Sequence, residues 1–181
     1  MRKKHIYVGM DVHKETTVIS LAHAGRNGKV EHYGTLSSSL HSMAKFLERN
    51  RQPHVKLHFV YEAGPTGFAL QRRLEAWNED CIVVSAVHVP KKAGDKVKTD
   101  RRDAEQLARM HRGGELDAIR VPDAVDEAIR DLCRSRFDAK QDERRSRQRL
   151  KSFLLRNGYS YSGRTSWTHQ HRRWLRGLGL Q

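Results

Sequence analysis

Cross-linking chemistry is almost absent from this chain of 181 residues, which has two cysteines and no CxxC or His-paired spacing around either of them. Cys81 lies in an apolar run and Cys133 in a helical pattern, so a disulfide framework and a structural zinc site are excluded, and two reduced, buried thiols are expected. Long apolar runs are missing as well. Nothing approaches the ~18 residues of a membrane span, and Arg2-Lys3-Lys4 precedes only a short apolar strand interrupted by Asp11. The chain therefore reads as soluble, not exported and without a membrane partner. Acidic residues are the third scarcity: none follows Glu143, while ten Arg and Lys lie between Arg144 and Arg176. A solvated helix face normally mixes both signs, so a run of one sign points to a polyanionic partner.

What is present agrees with that. The formal net charge is +14 and the isoelectric point near 10.2, the electrostatic footprint of a nucleic-acid-binding protein. Residues 1–120 carry 21 basic and 14 acidic side chains, residues 121–181 carry 14 and 7, so the last third holds about twice the charge per residue. The length suits one domain with a real core and a smaller appendage.

Periodicity places the elements. Ile6 to Asp11 reads as a buried central strand ending in a carboxylate, Thr16 to Ala22 as a second strand, and Gly25-Arg26-Asn27-Gly28 as a hairpin turn into a third over residues 29–36. Ser37-Ser38-Ser39 offers N-caps for a helix with Leu40, Met43, Ala44 and Leu47 on one stripe. Val55, Leu57 and Phe59 alternate into a strand that ends at Glu62. A turn, a helix carrying Phe68, Leu74 and Trp77, and a short strand at Cys81-Ile82-Val83-Val84 follow. A basic loop with Lys91, Lys92, Lys96 and Lys98 then leads into Thr99-Asp100-Arg101-Arg102-Asp103, which opens an amphipathic helix with Ala104, Leu107, Ala108 and His111 on one face.

Asp100 and Asp103 project from one helical turn and are ringed by Lys96, Lys98, Arg101 and Arg102, which suits metal-dependent chemistry on a phosphate chain. The bland alternative is an N-cap with a second acid favouring the positive end of the helix, and seven residues alone favour it. Beyond Val121-Pro122, Asp123 caps a long helix to about Asn157, apolar at first (Val125, Ile129, Leu132, Cys133, Phe137), then almost wholly charged from Lys140 through Arg144, Arg145, Arg147 and Arg149. The segment after it interleaves Tyr159, Tyr161, Trp167 and Trp174 with Arg164, Arg172, Arg173 and Arg176. Contact with nucleic acid and a short helix pair opening a further domain fit it equally.

Three strands in a meander, then two strands separated by helices, with acids ending the first and fourth strands, form the pattern of an α/β fold with an RNase H-like mixed sheet. The sequence resembles a known family at these residues. Gly-Met-Asp11-Val-His-Lys, Tyr-Glu62-Ala-Gly-Pro-Thr-Gly and Lys-Thr-Asp100-Arg-Arg-Asp103-Ala look like the DEDD-type insertion-sequence transposases related to the Piv invertase, whose N-terminal domain is similar to the resolvase RuvC. Trp167-Thr168 and Arg172-Arg173-Trp174-Leu175 look like the segment after that family's long coiled-coil helix.

The resemblance implies a RuvC-like domain over residues 1–120, a basic helix or coiled coil over 121–158, and the start of a following segment over 159–181. It also implies that the chain stops before a serine-recombinase-like domain, and it puts the catalytic and metal-holding tetrad on Asp11, Glu62, Asp100 and Asp103. Four crowded carboxylates call for hard divalent cations, magnesium or manganese, as two ions. DNA, a structured guide RNA and a second copy through the helical arm are the implied partners, and the prokaryotic cytoplasm, in association with the nucleoid, is the implied location. The implied activity is DNA transposition or site-specific recombination by cleavage and transfer. A hydrolytic Holliday-junction-resolvase-like nuclease and a non-catalytic binding module are the alternatives. The bulky Val12-His13-Lys14-Glu15 after Asp11 argues against the small-residue phosphate loop of a sugar-kinase-like or actin-like ATPase.

Overall fold

The computed structural model describes residues 3–87, 89 and 99–179. Two compact units divide the chain, Met1–Val121 and Pro122–Gln181.

In the first unit, β1 (Lys4–Val12), β2 (Thr16–His23) and β3 (Val30–Ser37) form an antiparallel meander, and β4 (Val55–Glu62) and β5 (Asp80–Val84) add to it in parallel. The sheet order is β3-β2-β1-β4-β5. Parallel neighbours need crossovers, supplied by α1 (Leu40–Asn50) between β3 and β4 and α2 (Ala69–Ala76) between β4 and β5. Ser39 caps α1, its side chain accepting from Ser42 N. This five-stranded mixed sheet with flanking helices is consistent with an RNase H-like fold.

Strand alternation divides the core in two. Val8 and Met10 of β1, Ile19 and Leu21 of β2, and Phe59 and Tyr61 of β4 pack with Met43, Phe46 and Leu47 of α1 and Leu74 of α2. The opposite face carries Val60 and Val84, which pack with Leu107 and Met110 of α3 (Asp100–Gly113). Gly9 decides how closely α3 lies on that face: a Cβ there would come within 2.5 Å of Ala108 N, and nearer still to the Ala104 carbonyl oxygen. Ala104 and Ala108 are fully buried, so a small-residue patch on the helix meets a strand position without a side chain. Gly114, in the left-handed region at φ 69°, ends α3. The chain then returns along β5, where Ile119 N donates to Val83 O and Ala118 bridges Val84, a pairing that periodicity does not announce.

In the second unit, Asp123 caps α4 (Ala124–Arg156), 33 residues and so about 50 Å long. Val125, Ile129, Leu132 and Phe137 are exposed along it. Cys133 is exposed too, which corrects the expectation of two buried thiols; only Cys81 is buried. Periodicity shows which residues share a face and is silent on whether that face is covered. The segment after α4, which lacks strong periodicity, contains α5 (His169–Gly177), capped by Thr168, whose side chain accepts from His171 N. Among the described residues, no helix is long and apolar enough to cross a membrane.

Candidate metal centre

The site is built at the C-terminal ends of two parallel strands and the N-terminus of one helix. Met10 pairs in register with Tyr61, so the next residues, Asp11 and Glu62, stand side by side where β1 and β4 end. Asp11 falls on the same sheet face as Gly9, against which α3 lies, and Glu62 on the same face as Val60, which packs on α3. The helix runs antiparallel to β1: Tyr7 meets His111 near its C-terminus, Gly9 meets Ala104 and Ala108, and Asp11 lies at its first turn. Thr99 is the N-cap, its hydroxyl accepting from Arg102 N, so Asp100 is not the capping residue and its carboxylate is not consumed by that role.

His13 joins the strand end to the helix. Its Nε2 lies 3.1 Å from Asp11 Oδ2 and 3.6 Å from Asp100 Oδ2, and the three donor atoms all fall within 4.8 Å of one another. The His13 backbone is held on both sides. His13 N donates to Thr16 O across the β1–β2 turn, and Ser38 Oγ donates to His13 O while bonding Thr17 Oγ1. Burial pushes the Asp11 carboxyl above the ordinary aspartate range; His13 offsets part of this, and the negative charges of Asp100 and Asp103 add to the rise. Asp11 therefore sits half-buried among other carboxylates, with the His13 imidazole opposing their charge. Two carboxylate oxygens and an imidazole nitrogen at this spacing fit a divalent cation, with the oxygens suited to magnesium or manganese.

The structure thus brings Asp11 and Asp100 together with His13, holds Asp103 near enough to bear on Asp11 electrostatically, and sets Glu62 beside Asp11 on the neighbouring strand end. His13 was absent from the residues singled out by sequence. The signal was available, since Asp-x-His at a strand end places both side chains on one face. Of the basic residues expected to contact nucleic acid, Arg101 pairs with Glu105 at 3.0 Å, and Lys91, Lys92, Lys96 and Lys98 lie outside the described residues.

The arm divides its arginines between two kinds of work. Arg147 bonds Glu143 at 2.5 Å and sets its guanidinium 5.0 Å from the ring centre of Trp167, which ties α4 to the segment that follows it. Arg145 reaches Asp142 at 3.4 Å and, with Gln148, Arg149, Ser152 and Arg156, lines a groove of about 360 Å³. Trp167, Tyr161 and Trp174 close around His171, which is 2% exposed and accepts from Trp167 N, so these rings are engaged with one another. Arg144, Arg172 and Arg173 are exposed.

Residues 8–157 match the sequence model of the DEDD transposases of IS110 elements, described as a transposase. The y4qE protein of Sinorhizobium fredii, named as a candidate transposase, is 42% identical over 172 residues, covering 95% of this chain and 44% of its own. The transposase for insertion sequence element IS1533 of Leptospira borgpetersenii is 38% identical over 179 residues, covering 97% of this chain and 51% of its own. The chain therefore spans about half the length of the curated relatives it matches.

Proposed function

Because the chain belongs to the IS110-type transposase family, we propose that it forms the metal-dependent part of a DNA transposase, supporting strand cleavage and transfer from the acidic cluster at the ends of β1, β4 and α3. The observation that carries this is the meeting of Asp11 and Asp100 across His13. Asp11, Glu62, Asp100 and Asp103 are the catalytic and metal-holding residues of this reading, with His13 as a neighbouring donor. Two magnesium or manganese ions, when bound, would activate an attacking hydroxyl and stabilise the leaving oxygen. The protein's own part is to hold the carboxylates at fixed spacing on rigid strand ends, and to bring the DNA backbone to them through Arg101, Arg102 and the basic loop before α3.

Arg144, Arg145, Arg149, Arg172 and Arg173 extend the contact along DNA and a structured guide RNA. The exposed stripe of Val125, Ile129, Leu132 and Phe137 supports pairing with a second copy as a coiled coil. Such a protein works in the prokaryotic cytoplasm, at the nucleoid.

Manganese titration of the wild type, Asp11→Asn and Asp103→Asn, read by electron paramagnetic resonance, tests the centre. Both variants lose affinity, and Asp11→Asn gains stability without metal. The raised pKa means that Asp11 contributes stability at low pH that is lost as pH rises through its folded value; an amide carries no such loss. Unchanged manganese affinity in both variants would remove the shared site. DNA ends released by water without joined products would favour the hydrolytic resolvase-like reading.

A further inference from the structure

At the end of the sheet away from Asp11, where β1 and β4 begin, β2 ends and α1 finishes, the chain forms a cleft of about 850 Å³. Its charged lining is of one sign. Lys3, Lys4 and Arg49 line it together with the imidazoles of His5, His23 and His54, and no acidic residue is among its described lining residues. Two acids that meet the lining histidines, directly or through His58, are already engaged. Glu31 is held by Lys29 and lies 3.1 Å from His23 Nε2, and Asp80 lies 2.7 Å from His58, which in turn lies 2.9 Å from His5. Among the described residues, three full cations line the cleft and no carboxylate does, an arrangement that attracts anions.

We infer that this cleft is a second nucleic-acid contact, holding the phosphodiester backbone of a strand segment remote from the acidic cluster. This rests on the reading that the chain acts on nucleic acid. The volume exceeds a single phosphate group, and the imidazoles of His23 and His54 and the guanidinium plane of Arg49 supply stacking faces that an acidic peptide would not use. Lys4 and Asp11 are seven residues apart on one extended strand, a span of about 23 Å at ~3.3 Å per residue. No single phosphate reaches both places. The cleft therefore grips either a distant part of the reacting strand or another strand, and the sheet holds the two at fixed separation.

Lys3, Lys4 and Arg49 are all exposed, so their joint replacement by Gln leaves the core untouched; thermal unfolding checks this. Fluorescence anisotropy against salt concentration, with single-stranded RNA, single-stranded DNA and duplex DNA as separate probes, reads the contact. The triple variant is expected to lower the magnitude of the log–log slope by about 2–3, at roughly 0.7–0.9 per phosphate contact. The probe that loses most of its slope identifies the strand held. Gln52→Glu, which sets a negative charge in the lining, weakens the same probe. Wild-type binding with an unchanged slope in the triple variant for all three probes overturns the cleft and leaves the parent reading standing. Failure of the wild type to bind any probe overturns both. Poly-glutamate competing as well as the oligonucleotides overturns the choice of ligand.

Discussion

The most exacting test of the geometry is Gly9→Ala. The added methyl carbon would sit 2.5 Å from Ala108 N and 3.0 Å from Ala108 Cβ, and closer still to the Ala104 carbonyl oxygen. Heavy atoms in contact prefer about 3.5–4.0 Å, so the helix must retreat from the sheet by roughly 1 Å. Overpacking of this kind costs about 1–3 kcal/mol, which for a domain of this size lowers the melting temperature by roughly 5–10 °C. The larger consequence is positional. Asp100 and Asp103 lie within one turn of Ala104, whereas Asp11 moves with β1, so the retreat separates the two halves of the acidic cluster. A displacement of ~1 Å is enough to cost about a hundredfold in a positioned reaction.

Thermal unfolding, manganese titration and DNA cleavage should therefore fall together. A second substitution tells which atoms collide. The tightest contacts are with helix backbone, so Ala108→Gly restores little when combined with Gly9→Ala. A wild-type melting temperature and metal affinity in Gly9→Ala, or full rescue by Ala108→Gly, would refute the reasoning.

Three further outcomes follow from the same structure. Burial holds the His111 pKa down to about 4, with His58 adding to the fall and Asp80 opposing it, so His111 contributes stability above pH ~6.5 that is lost as pH falls toward 4. His111→Phe should remove roughly 2–3 kcal/mol of that acid destabilisation, after allowance for partial solvent access, in chemical denaturation across pH 4–7. A slope against pH equal to the wild type's would count against the assignment. Cys133 is exposed and Cys81 is buried, with burial and the charges of Glu75 and Asp80 raising its pKa, so a thiol reagent should titrate one group quickly in the native protein and none in Cys133→Ser. Fast reaction of two thiols contradicts this. Arg147→Gln should destabilise the second unit by about 1 kcal/mol through loss of Glu143 and the Trp167 face, while lowering the salt slope of DNA binding less than Arg149→Gln does.

Much of the sheet was legible because its signals are local. Asn27-Gly28 turns β2 into β3, Ser39 opens α1, and the alternation through Leu57 and Phe59 marks β4, each readable within a few residues. What escaped notice depends on partners far along the chain. Gly9 reads as one more strand residue until Ala104 and Ala108 are laid against it, and the return of Ile119 onto Val83 joins segments with no shared pattern. His13 was read only as bulk after Asp11, since its value as a donor depends on Asp100, nearly ninety residues later. By composition the aromatic residues near α5 fitted nucleic-acid contact and a short helix pair equally, and three of them are engaged around His171, because a short helix with few aliphatics needs rings to build its own small core.

Helix electrostatics and the proposed metal chemistry make compatible demands on Asp100 and Asp103. Three carboxylates near one another repel, and Asp11 shows the effect in a pKa raised first by burial and then by Asp100 and Asp103. An isolated cluster of this kind would splay or take up protons. Here two of the three acids occupy the first turn of α3, where unpaired backbone N–H groups supply partial positive charge worth about 0.3–1 kcal/mol to each. Thr99 takes the capping bond in their place, which leaves the Asp100 carboxylate directed to His13. His13 lies 3.1 Å from Asp11 Oδ2 and 3.6 Å from Asp100 Oδ2, so an imidazole nitrogen stands between the two carboxylates. The helix dipole, the cap and the imidazole favour keeping the acids close, as the proposed metal centre requires, and the small-residue contact at Gly9 sets how near α3 lies to β1.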